Sequence, residues 1–142
     1  FSIGIFMTYI GGLLGDKYGP IKIIRLSLLV WLPAMFLLTE VPNFSPLIML
    51  PVGYLLLLMI GAAKAISYSP VIVLGQTYLA KSIGFASGIT LGVSQTIGGV
   101  IAPVVGNLAD TYSLPVAMMT LVPFLIGGLG ASLLLKDPKK LQ

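Results

Sequence analysis

Neither cysteine nor histidine occurs among the 142 residues. Disulfides, thiolate nucleophiles and imidazole-based metal or acid–base sites are therefore excluded within them. Charge is nearly as scarce: 8% of the residues are charged, against roughly 25% in soluble domains. The acids are Asp16, Glu40, Asp110 and Asp137, and each falls at the end of an apolar run or outside it. A membrane-embedded enzyme would need convergent polar groups at one depth, and only Lys64 with a few hydroxyls and amides meets that description. No catalytic residue, metal ligand or cofactor is expected.

What the chain has instead is apolar length. Hydrophobic residues make up 57% of it and the mean hydropathy is +1.06, so an all-α membrane protein is expected. Five apolar segments cover about 1–14, 21–39, 47–79, 84–109 and 115–135, and a spanning helix needs roughly 20 such residues. The first is short because the chain opens on Phe1, without an initiator Met or a basic leader; a fragment cut inside a helix is expected. The third, as one helix, would be about 50 Å long at about 1.5 Å per residue. It must kink, tilt or protrude, with Pro51 and Pro70 as the places to bend.

A net charge of +4 could suggest nucleic acid, but such domains gather cations on a solvated face. Here Lys17, Lys22 and Arg25 follow the first segment, Lys81 the third, and Lys136, Lys139 and Lys140 the fifth, while the connections after the second and fourth carry none. That asymmetry is what the positive-inside rule gives for five crossings with the C-terminus in the cytoplasm.

The stretch GGLLGDKYGP, residues 11–20, interrupts the apolar pattern. Gly15 and Gly19 allow a sharp turn, and Pro20 suits the first turn of the following helix. Its core, Gly12-x-Leu14-x-Asp16-x-Tyr18, recurs as Gly106-x-Leu108-x-Asp110-x-Tyr112, and the same offset pairs Gly4 with Gly98. The copies end segments three crossings apart and so face opposite sides. Inverted three-helix repeats of this kind are a feature of secondary transporters.

The residues 12–19, GLLGDKYG, resemble the G-x-L-a-D-r-x-G loop of the major facilitator superfamily. The resemblance extends along the chain when its segments are taken as helices eight to twelve of a twelve-helix transporter. Residues 69–76, SPVIVLGQ, and 84–88, GFASG, are similar to the tenth and eleventh helices of fosmidomycin-resistance-type efflux proteins. One departure is that Pro20 and Ile21 stand where the family continues with basic residues, which here arrive later as Lys22 and Arg25.

The resemblance implies transport of a small molecule by alternating access, with efflux as the expected direction; an anionic solute is expected if Lys64 faces the cavity. It implies the lipid bilayer and the N-terminal half of the same transporter as partners, and a bacterial or archaeal cytoplasmic membrane as the location. Gly12, Gly15, Asp16, Lys17 and Gly19 would form a cytoplasmic latch, Asp16 facing the positive end of a helix in the other half and pairing with Lys81. Alternatively Asp16 is a solvated loop acid that only fixes orientation.

Gly84, Gly88 and Gly92 line one face of the fourth segment, a small-residue surface that lets helices approach closely; static packing and sliding contact would use it equally. Gly127, Gly128 and Gly130 read the same way, and Pro103 and Pro123 are expected to bend their helices. Lys64, in the third segment, costs about 2.5–3.5 kcal/mol at a bilayer centre. Either it faces a cavity, with Tyr68 one turn away on the same face and Ser67 and Gln76 nearby, and attracts an anion, or it snorkels to the headgroups. Gln95 and Thr96 are candidates for the same cavity or for interhelical hydrogen bonds. No acid lies inside a segment, so proton coupling has no candidate here. The alternative reading from another class is a non-transporting scaffold or assembly subunit, which has no use for an inverted repeat.

Overall fold

The computed structural model describes residues 2–41 and 45–135. They form α1 (Ser2–Tyr18), α2 (Pro20–Glu40), α3 (Pro46–Tyr78), α4 (Ile83–Gly88), α5 (Ser94–Thr111), α6 (Leu114–Met119) and α7 (Val122–Leu134). A 3-10 turn, Ala80–Ser82, leads from α3 into α4, and a π-helical turn, Ile89–Val93, leads from α4 into α5. No strand occurs among the described residues. Within lipid a helix satisfies its backbone groups internally, which is why so apolar a chain takes this form. Pro20–Glu40, Leu47–Tyr78, Ala80–Thr111 and Leu114–Leu134 are each long and apolar enough to cross a membrane. α1 contributes 17 residues, close to the roughly 20 a span requires.

The connection between α1 and α2 is a single residue. Gly19 has φ 96°, the positive value that glycine adopts without a Cβ penalty, and its N–H donates to the Gly15 carbonyl at 2.9 Å. Pro20 then occupies the first turn of α2. The turn expected to be shared by two glycines thus falls on Gly19 alone, while Gly15 stays helical and buried against α3.

α2 lies at the centre of the packing, touching α1, α3, α6 and α7. Ile21 and Ile24 meet Leu74 of α3 near one end, with Leu28 against them. Ala34 and Val41 meet Leu56 nearer the other, with Leu38, Val52 and Ile60 around them. α3 is continuous through Pro51 and Pro70, and the Pro70 ring is fully buried. The fifth apolar segment is divided at Thr120–Leu121, and Pro123 sits in the first turn of α7 instead of bending the middle of a helix. Pro103 does lie inside α5.

Arg25 joins the first turns of α2 to the end of α7. Its Nε and Nη2 donate to the Ser132 carbonyl at 3.1 and 2.6 Å, and Nη2 reaches the Leu133 and Leu135 carbonyls at 3.4 Å. The last carbonyls of a helix lack intrahelical donors, and a cation there also meets the negative end of the helix dipole. The contact brings the α1–α2 turn and the end of α7 to one side of the bundle. Lys136, Lys139 and Lys140 lie outside the described residues.

Candidate functional site

The site begins with how α1 meets α3. A proline has no N–H to offer the carbonyl four residues earlier, so Pro70 leaves the Ile66 oxygen without its helical donor. Gly11 lies directly against that carbonyl: a Cβ on Gly11 would overlap the Ile66 oxygen and come within 2.7 Å of its carbonyl carbon. One turn on, a Cβ on Gly15 would stand 3.2 Å from Pro70 Cγ, and one on Gly12 3.2 Å from Ser69 Oγ. The two helices therefore run parallel and are pinned between Gly11 and Gly15.

Towards the start of α1 the contact is looser, with no atom within 4 Å of a Cβ placed on Gly4 or Gly61. A groove of about 440 Å³ opens there, lined by Gly4 and Thr8 from α1 and by Gly61, Lys64 and Tyr68 from α3. Lys64 is exposed, eighteen residues after Pro46 and fourteen before Tyr78, so about 21 Å of helix separates it from the nearer end of α3. Tyr68 is exposed one turn further. No carboxylate lines the groove. Thr8 was not singled out by the sequence, where a hydroxyl in an apolar run carries little signal. Its Oγ1 donates to the Gly4 carbonyl at 2.9 Å, which commits the proton and leaves acceptor lone pairs.

The other polar candidates lie elsewhere. Ser67 Oγ donates to the Lys64 carbonyl at 3.0 Å. Gln76 Nε2 donates to Ser87 Oγ at 2.9 Å and ties α3 to α4. Gln95 is exposed on α5 and does not line the Lys64 groove. Thr96 donates to the Gly92 carbonyl at 2.9 Å and, with Gly88 and Gly92, lines a separate groove of about 430 Å³. No Cβ placed on Gly84, Gly88 or Gly92 would meet an atom within 4 Å.

Asp16 and Lys81 are both exposed, Asp16 near the end of α1 and Lys81 in the turn after α3. Because Gly15 is level with Pro70, Lys81 lies eleven residues further along the chain than that level, and α3 carries it past the α1–α2 turn. Lys17 Nζ stands 5.3 Å from the Tyr18 ring centroid, a cation–π distance. Among the described residues no group of three or more Asp, Glu, His or Cys is placed to hold a metal ion.

Apolar helices of spanning length, one of which carries Lys64 midway along it, define a polytopic α-helical membrane protein, and the sequence similarity fits a piece of a major facilitator transporter. Over 136 residues, 96% of the chain, the sequence is 31% identical to an uncharacterized MFS-type transporter, YfnC, of Bacillus subtilis (strain 168). The chain spans about a third of that protein's length, 32%. No family model matches the chain, and no solved structure does.

Proposed function

We propose that the chain forms helices eight to twelve of a major facilitator transporter that moves a small anionic solute outward across the cytoplasmic membrane by alternating access. The observation that carries the anion is Lys64. It is a charged side chain in an apolar helix, in a groove with a phenol and a hydroxyl and without a carboxylate, and intramembrane charges of this kind mark substrate paths. The similarity to an MFS-type transporter supports the transport class, and the finer likeness to fosmidomycin-resistance-type proteins rests on residues 69–76 and 84–88.

In this reading the C-terminus is cytoplasmic, supported by the cation asymmetry and by Arg25, which gathers the α1–α2 turn and the end of α7 on one side. Asp16 then belongs to the cytoplasmic latch, its partner being a helix N-terminus in the other half of the transporter. The bare face of Gly84, Gly88 and Gly92 is the surface that this other half covers.

The test is anion flux in vesicles carrying the full-length protein. Lys64→Met is expected to weaken the apparent affinity for a transported anion by about 10- to 100-fold, corresponding to a charged hydrogen bond of about 1.5–3 kcal/mol. Asp16→Asn is expected to slow turnover at unchanged membrane abundance. Anion affinity that is the same in the Lys64 variant and the wild type would remove the substrate from this groove.

A further inference from the structure

The seam between α1 and α3 is not uniform. It is closed where Gly11 and Gly15 meet Ile66 and Pro70, and open where Gly4 and Gly61 line the groove without any atom within 4 Å of a Cβ placed on either. The two pairs of glycines thus differ in what they leave behind. The first removes side chains so that the helices can touch; the second leaves space beside a cation. The remaining walls near that space, Ile5 and Ala65, are apolar. Thr8, its proton committed to the Gly4 carbonyl, presents only lone pairs. They would repel a second negative group and accept a hydrogen bond from a hydroxyl or N–H.

We infer that Gly4 and Gly61 are specificity-determining residues that set the width of the transported solute: an aromatic monocarboxylate seats its carboxylate at Lys64, its ring beside Tyr68, and its apolar body in the space the two glycines leave open. This rests on the reading of Lys64 as the anion site. It adds a size limit set by the open space at Gly4 and Gly61 and a preference for one charge set by the lone pairs of Thr8. Benzoate reaches Lys64 without entering that space, whereas a second fused ring must occupy it.

The experiment uses the full-length transporter in proteoliposomes, with benzoate and 2-naphthoate as probes. Wild type is expected to bind both. Gly61→Val and, from the opposite helix, Gly4→Val are expected to weaken 2-naphthoate by about tenfold or more, the scale on which apolar pockets discriminate size, with benzoate and thermal stability unchanged. Lys64→Met is expected to weaken both probes. If wild type binds neither probe, the anion reading of Lys64 falls and this inference with it. If both bind and Lys64→Met weakens both, but the glycine variants leave 2-naphthoate unchanged or weaken the two probes equally, the size limit alone is overturned. Loss of folded protein in both valine variants would also overturn it, since the space at Gly4 and Gly61 would then be filled.

Discussion

Two sets of glycines four residues apart serve opposite ends in this chain. Gly11 and Gly15 of α1 face a proline-containing turn of α3 so closely that a methyl group on Gly11 would collide with backbone. Gly84, Gly88 and Gly92 of the fourth apolar segment repeat with the same spacing and meet nothing among the described residues. Spacing puts glycines on one helix face in both cases. What differs is the partner: Pro70 frees the Ile66 carbonyl and shapes a surface that only glycine can approach, whereas a Cβ on Gly84, Gly88 or Gly92 would have no atom within 4 Å. A small-residue stripe is thus a capacity for close contact, and the partner decides whether it is used.

The comparison can be broken most sharply at its packed end. Gly11→Val forces a side chain into the Ile66 backbone, which cannot move aside without parting α1 from α3. Overpacking costs typically about 1–3 kcal/mol and sometimes more, and at this backbone contact the upper end or beyond is expected, read as loss of folded protein in detergent. Retention of normal levels would mean that the crossing is not a close one.

Arg25 gives the next largest effect. Arg25→Met removes charge-assisted bonds to the carbonyls that end α7, and bonds to charged groups are worth about 1.5–3 kcal/mol each. Thermal stability should fall, and proteolysis should begin at the end of α7. Lysine at this position should restore only part of the loss, because it lacks the planar fork of donors.

The smallest effect on stability belongs to the bare stripe. Gly92→Val is expected to leave abundance and melting temperature near wild type, since a Cβ there has open space, while transport by the full-length protein falls. Instability equal to that of Gly11→Val would erase the distinction between the two stripes. Normal transport would leave the face of Gly92 facing lipid.

Much of the fold was legible because hydrophobicity and turn chemistry are local. The apolar segments became helices, Gly19 and Pro20 made the first connection as their backbone preferences require, and the paired GxLxD sequences each ended a helix. Arg25 shows the limit. In sequence it is one of several cations after a span and reads as a topology signal, but its partners lie more than a hundred residues away on α7. Lys64 and Tyr68 were readable as neighbours because helical periodicity puts them on one face. Thr8 was not, because its place beside them depends on how α1 lies on α3. Gln95 shares the apolar context that suggested it, yet lies on α5, which contributes no residue to the groove.

The sequence by itself determined that this protein is helical, that it is made for lipid, and where the chain turns, since these follow from composition, periodicity and the conformational limits of glycine and proline. Only the tertiary structure decided which glycines are contacts and which are space, that Arg25 caps a distant helix, and that Lys64 stands in a groove between α1 and α3. Those outcomes depend on the relative placement of helices distant in sequence, which local patterning leaves open because a small or charged face is compatible with several neighbours.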